Sequence, residues 1–434
     1  MQISVDISIL ICYNLNRCER EWRNRQTRTF EGRVGRLVRV QVPSLAPKSG
    51  YFHLDLTAFL FCLFCFAVLQ KLEGEYMAYS KRNNALEFYR FVFIVFIFFM
   101  HFRSYGGFEG DKNYFAGGYL GVEYFFILSG FFMMQKIEKL FASNNSLNPE
   151  KSTVSFFAAR VKRLYPLYIF SLFLFMLALK IVKPEYGLLS HAKDGFADFF
   201  MLQVFFEKEP VNLHLWFVSG LLWGSFLAYY LAVKYREKYT CIIAPLAFLG
   251  FAGYCFTNFG KIDITSISPV FLGAFFRAFS EIGIGCTLYC IYNKLKNRDF
   301  SKLDKITLSV LEIILPLLCG YIAWRGHWNI LDFIALFAIC ALILVTALGQ
   351  GVVSKLLNNK FSGFLGSITY AMYLNQAVFI YVGERDLNCE FRLLVLVDLA
   401  CLVAFSAVVT AAYNKIVSKL KNKSFNKKIG GEVK

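Results

Sequence analysis

The sequence predicts an all-α, polytopic membrane protein of about ten transmembrane helices, with both termini in the cytoplasm. Of its 434 residues, 57% are apolar and only 18% are charged, whereas a soluble domain has about 25% charged residues. The apolar residues are grouped in runs of roughly 17 to 25, the length that crosses a hydrocarbon core. Lys and Arg are concentrated in alternate gaps between these runs. This alternation indicates repeated crossing of a bilayer, because positive charge is retained on the cytoplasmic side.

The net charge of +17 does not indicate a nucleic-acid partner. The basic residues form short clusters between apolar runs, as expected for cytoplasmic loops. Most of the 12 cysteines lie inside apolar runs, where a thiol behaves as a small apolar side chain. They do not form the paired sets that a structural zinc site requires. We therefore expect a lipid bilayer as a partner, no nucleic acid, no metal site and no disulfide framework.

Residues 1–76 differ from the remainder of the chain. The stretch 18–47 is rich in Arg and lacks helical periodicity, and it resembles the translation of a leucine transfer-RNA gene. We therefore expect that residues 1–76 are a misassigned start, outside the fold, and that translation begins at Met77. The alternative is a basic N-terminal extension with one additional helix at about residues 54–69.

Ten apolar runs follow Met77, and the gaps between them predict the topology. The gap at 136–163 is strongly basic, whereas residues 183–211, the only long outer loop, contain more acidic than basic residues. We expect a short re-entrant or interfacial helix at about residues 196–206, and a basic cytoplasmic tail at 416–434. The runs cover approximately residues 86–102, 119–135, 164–182, 212–233, 240–256, 268–293, 306–324, 328–349, 361–381 and 392–414.

The first predicted span contains ionisable residues, which are expensive in a membrane and usually face a cavity or a partner. Arg90 and His101 are eleven residues apart, which corresponds to three helical turns plus about 20°. They therefore share one face of the helix at different depths, with Glu87 close to the same face. Histidine can accept and release a proton near neutral pH. The alternative is that Arg90 reaches the lipid headgroups and His101 lies at the outer interface.

The residues Leu86 to Arg90, followed by His101, resemble the opening motif of the acyltransferase-3 family, membrane O-acyltransferases that modify bacterial surface glycans. The resemblance covers about residues 77–415. The family often has His shortly after the Tyr-Leu of its late motif, where this chain has Gln376, so a second histidine base is in doubt. The other matching stretches, in chain order, are GYLGVEYFFILSGFF at 118–132, FFAARVKRLYP at 156–166, HLWFVSGLLW at 214–223, FRAFSEIGIG at 276–285 and GSITYAMYL at 366–374.

The resemblance implies transfer of an acyl group, most often acetyl, from cytoplasmic acyl-CoA to a hydroxyl of a cell-surface or lipid-linked carbohydrate. The implied location is the bacterial cytoplasmic (inner) membrane, with acetyl-CoA as a co-substrate and no permanently bound cofactor.

The same resemblance suggests roles for individual residues. His101 is the expected general base or transient acyl carrier, and Glu123 is expected to orient its imidazole. Arg90, Arg160 and Arg163 are the expected acyl-CoA ligands. Further residues are expected to line the cavity or contact the acceptor, and these are Glu87, Trp216, Arg277, Glu281, Tyr370 and Tyr373.

Two of these cavity candidates are also expected to pair with each other. Arg277 and Glu281 are four residues apart on one predicted helix, so their side chains meet on the same face.

Two other functions remain open from the sequence. A transporter or flippase for a lipid-linked sugar would also need buried ionisable groups, although the chain shows no convincing repeat between its halves. A non-catalytic relative would keep the helices and lose the chemistry, and Gln376 in place of a family His is consistent with that.

Overall fold

The structure is a computed structural model that describes residues 83–105, 115–143, 147–182, 187–206, 210–264, 272–326, 330–383 and 391–429. The expected misassigned start at residues 1–76 lies outside the described residues. All regular secondary structure in the described ranges is helical. In the part of the chain that the structure describes, ten long helices form the bundle: α1 (Asn84–Tyr105), α2 (Leu120–Ser143), α3 (Pro149–Val182), α4 (Trp216–Tyr235), α5 (Ala244–Phe259), α6 (Leu272–Leu295), α7 (Lys302–Arg325), α8 (Ile330–Leu348), α9 (Lys360–Gly383) and α10 (Phe391–Ile429).

The prediction of an all-α polytopic membrane protein is confirmed. Nine of the described helices are long and apolar enough to span a membrane. In this count, α5 is taken together with the π-helical turn that precedes it. The tenth helix, α9, has 24 residues but is not among those nine. It packs against α1, α3 and α10, and Asn375 and Gln376 are both fully buried on it. Its polar side chains therefore meet protein rather than lipid, which accounts for its low hydropathy.

The third helix is longer than predicted. The apolar run indicated a span from residue 164, whereas α3 begins at Pro149 and continues through Pro166 to Val182. The basic cluster that includes Arg160 and Arg163 therefore lies on the helix itself, and not in a loop before it. The apolar pattern did not predict the beginning of α3, before residue 164. Such a pattern indicates which residues contact lipid or core, and it does not indicate where a helix begins.

The long loop after α3 contains short helices rather than one interfacial helix. Helical turns cover Leu188–Asp194, Phe196–Phe199 and Gln203–Phe205, in place of the single helix expected at 196–206. Phe196 and Phe200 are 58% and 56% exposed, consistent with a segment that lies at the membrane surface. The break at residues 200–202 occurs where Met201 adopts a positive φ of 54°.

Helices α2 and α6 share the most extensive contact among the described helices, and glycine makes it possible. A Cβ atom at Gly130 would overlap the backbone of Ile282, and one at Gly285 would overlap the carbonyl of Ile127. Small residues at such crossings let two helix backbones touch inside a membrane. Helix α6 also packs against α4 and α5, so it occupies the centre of this half of the bundle.

Replacing Gly130 with alanine should destabilise the protein, because the new methyl group must displace the α6 backbone. Overpacking of this kind costs about 1–3 kcal/mol. Melting of the detergent-purified protein measures the effect. Gly253→Ala is the matched control, since no atom lies within 4 Å of the added Cβ at that position. Equal melting temperatures for the two variants would contradict the close α2–α6 contact.

Candidate functional site

The polar residues form two groups, one at each end of the bundle. Successive long helices alternate in direction, so the end of α1 lies beside the start of α2, α4 and α6. His101 is near the end of α1, whereas Glu123, His214 and Arg277 are near the starts of the helices that return. This is called the outer end here, because the charge pattern predicts that it faces outward. Arg90 and Arg160 belong to the opposite, inner half.

Two imidazoles meet at the outer end. The ring centroids of His101 and His214 are 3.9 Å apart, with the planes tilted by 41°. His101 is partly buried, and its Nδ1 atom has no hydrogen-bond partner among the described residues. The side chain of Gln376 lies beside the His101 ring. His214 was not among the site residues predicted from the sequence, although the HLW stretch at the outer end of a span was a signal that could have identified it.

Arg277 is completely buried and is surrounded by carboxylates. Its Nε donates to Glu123 Oε2 at 3.2 Å, and its Nη2 makes a second hydrogen bond to Glu123 Oε1. Its Nη1 donates to Asp263 Oδ1 at 2.9 Å. The guanidinium also lies over the Trp216 ring, with Cζ 5.5 Å from the ring centroid. Such a charge is tolerated inside an apolar bundle only when it is paired and hydrogen-bonded.

One expected pairing differs from the contact observed, and another is found. Glu123 was expected to orient the His101 imidazole, but both of its oxygens bind Arg277. Glu281 pairs with Arg277 as expected, with Nε and Oε1 3.9 Å apart, while the hydrogen bonds of the guanidinium go to Glu123 and Asp263. Helical spacing identified the neighbour on the same helix, and contacts from α2 and from the loop after α5 are closer. Asp263 is a site residue that the sequence analysis missed, since a single acid in a loop has no distinguishing pattern.

The two tyrosines predicted to line the cavity, both on α9, have different neighbours. The Tyr373 hydroxyl donates to the backbone carbonyl of His214, and its ring packs against Phe217 at 4.9 Å. Tyr370 was expected to face the same cavity, but its hydroxyl donates to the Leu164 carbonyl of α3 at 3.0 Å. Tyr373 is therefore part of the outer site, whereas Tyr370 fastens α9 to α3.

The three arginines predicted to bind acyl-CoA lie in the inner half in different environments. Arg90 Nη1 is 2.7 Å from Glu87 Oε2, so these two residues pair within α1. Arg160 is buried and donates through Nη2 to Ser129 Oγ at 2.7 Å, while Arg163 is exposed. The Arg160 Nε atom has no hydrogen-bond partner among the described residues. One guanidinium thus points into the bundle and another lies at its surface.

Comparison with known sequences identifies the family. A family model described as an acyltransferase domain matches residues 83–413, a range that includes every residue of the two groups above. Comparison with curated proteins and with solved structures finds no significant match. The match agrees with the resemblance noted from the motifs and with the membrane-spanning helices. The chain therefore belongs to the acyltransferase-3 family and is a membrane acyltransferase.

Proposed function

We propose that this protein transfers an acyl group, most simply acetyl, from cytoplasmic acyl-CoA to a hydroxyl group of a cell-surface or lipid-linked carbohydrate in the bacterial inner membrane. The observation that carries the proposal is the contact between His101 and His214 at the outer end of the bundle. Imidazole is the side chain best suited to take a proton from a hydroxyl near neutral pH. A pair of imidazoles at that position supports transfer to an acceptor on the outer side.

The acceptor hydroxyl attacks the carbonyl carbon of the thioester, and its proton passes to His101. A C–O bond forms, the C–S bond breaks, and CoA leaves as a thiolate that takes up a proton. His214 lies against the His101 ring and is placed to accept the proton in turn. Transient acylation of His101 itself is the alternative chemistry for the same residue.

The carbonyl oxygen of the thioester becomes negatively charged during attack and needs a hydrogen-bond donor. We do not assign Arg277 to this role, because each of its three nitrogens already donates to Glu123 or Asp263. The buried Gln376 amide lies beside His101, and its Nε2 has no hydrogen-bond partner among the described residues. We assign Gln376 to this role, so the residue in place of a family histidine supports the same reaction as a donor.

We assign the inner arginines to binding of acyl-CoA, the acyl donor. Guanidinium groups bind phosphate through charge-assisted hydrogen bonds, and Arg163 is exposed at the inner end while Arg160 continues into the bundle. Arg90 lies about 16 Å from His101 along the axis of α1, from the rise of eleven residues. Acyl-CoA would thus contact three arginines in order from its phosphates to its thioester, namely Arg163, Arg160 and Arg90.

Replacing His101 with alanine should lower turnover by about 10²- to 10⁴-fold, the usual contribution of a general base. Membranes that contain the variant are supplied with labelled acetyl-CoA, and label in the glycan fraction is measured together with the amount of inserted protein. Asn258→Ala is the control at the same end of the bundle, since Asn258 is exposed and its hydrogen bonds among the described residues lie within its own helix. Undiminished turnover in the correctly inserted His101 variant would remove this residue from the mechanism.

Replacing Arg160 and Arg163 together with alanine should raise the KM for acetyl-CoA by about 10- to 100-fold, because each charge-assisted hydrogen bond contributes about 1.5–3 kcal/mol at most. The KM for the acceptor should change little. Lys162→Ala is the matched control, since it removes an exposed positive charge from the same helix. If both variants shift the two KM values alike, the arginines act only in membrane topology.

A further inference from the structure

The loop between α3 and α4 places a buried carboxyl next to the residues that lead into α4. Asp198 is only 1% exposed, and its Oδ2 accepts the backbone N–H of Asn212 at 3.2 Å. The Oδ1 of Asn212 in turn accepts the backbone N–H of His214 at 3.1 Å. These two hydrogen bonds form a continuous connection from Asp198 to His214.

The segment that carries Asp198 is fastened to the long helices by side chains. Tyr168 and Tyr165 of α3 donate to the carbonyls of Asp198 and Phe199 at 2.7 and 3.0 Å. Ser219 and Trp223 of α4 donate to the carbonyl of Met201 at 2.7 and 2.9 Å. Asp198 is therefore held by the bundle, and it can in turn hold the residues bonded to it.

Both backbone groups of His214, its N–H and its carbonyl, are held by hydrogen bonds. Asn212 accepts its N–H, and Tyr373 donates to its carbonyl. Because the backbone is held at both points, the direction of the imidazole towards His101 depends on them. Tyr373 comes from α9, whereas the Asn212 contact depends on the loop, and Asp198 is the side chain that holds Asn212 in place.

We propose that Asp198 is a positioning residue for the His101–His214 pair, acting through Asn212 without touching the reacting groups. The inference rests on the proposed function and extends the site to a loop that has no direct contact with His101 among the hydrogen bonds described above.

The chemistry of Asp198 indicates which feature of its side chain matters. Burial raises the pKa of the Asp198 carboxyl to about 7, against the hydrogen bonds from the Asn212 and Val211 N–H groups and from Gln203, which lower it. Asn212 needs an oxygen that accepts its N–H, which an amide supplies as well as a carboxylate.

The first test compares Asp198→Ala with Asp198→Asn in the full-length membrane protein. We expect the alanine variant to lose about tenfold or more in kcat with an unchanged KM for acetyl-CoA, since the inner arginines are untouched. The asparagine variant should stay within about twofold of the wild type, because it keeps the acceptor oxygen. Asp299→Ala is the control, as it removes an exposed acid far along the chain. Equal kcat values for the alanine variant and the wild type would overturn the proposal, as would equal losses in both Asp198 variants.

The second test replaces Asn212, through which Asp198 is proposed to act, and leaves the buried acid in place. Asn212 caps the helical turn Leu213–Leu215, and Ser replaces Asn well at such positions whereas Ala does not. Asn212→Ala should therefore lower kcat as Asp198→Ala does, and Asn212→Ser should retain it. Loss of activity in both Asn212 variants, or in neither, would contradict the proposal that Asp198 acts through Asn212.

Backbone hydrogen exchange tests the connection without any enzyme assay. In the peptide that spans residues 210–216, the N–H groups of Asn212 and His214 should exchange about threefold to tenfold faster in Asp198→Ala, reflecting one lost hydrogen bond. Asp198→Asn should exchange like the wild type. Unchanged exchange in the alanine variant would overturn the positioning role. If the two Asp198 variants show these exchange rates but the wild type transfers no acyl group, the proposed function fails and the positioning role of Asp198 stands.

Discussion

The buried guanidinium of Arg277 is the constraint on which the outer half of this structure depends. A charge removed from water inside an apolar bundle is strongly unfavourable unless it is paired, and Arg277 is completely buried. Glu123 of α2 and Asp263 of the loop after α5 provide the partners. The two bonds to Glu123 set the depth and rotation of α2 against α6, and the glycine contacts at Gly130 and Gly285 let the backbones come that close.

This pairing also determines which groups are free for chemistry. Both oxygens of Glu123 bind Arg277, and the groups beside the His101 imidazole are His214 and Gln376. Arg277 and Glu123 are then best understood as the support of the site. In the proposed reaction, the acceptor hydroxyl and the thioester carbonyl would meet the imidazole pair and the neighbouring amide.

Helix α1 connects the two ends of the bundle. Its Arg90 pairs with Glu87 in the inner half, and its His101 reaches the outer pair. Arg160 of α3 lies in the same inner half and is joined to α2 through Ser129. In the proposed function, a donor at the inner arginines and an acceptor at the imidazoles would meet within this one bundle.

The sequence alone determined the helical class, the number of long helices and the family resemblance, because apolar run length and charge alternation are local properties of the chain. It also placed Arg90 and His101 on one face of α1, since helical rotation per residue is constant. Only the tertiary structure decided which residues pair across helices. Glu123 and Arg277 are 154 residues apart, and the loop that brings Asp198 to Asn212 has no periodic pattern. Such contacts depend on the depth and rotation at which helices pack, and side-chain packing between distant segments sets both.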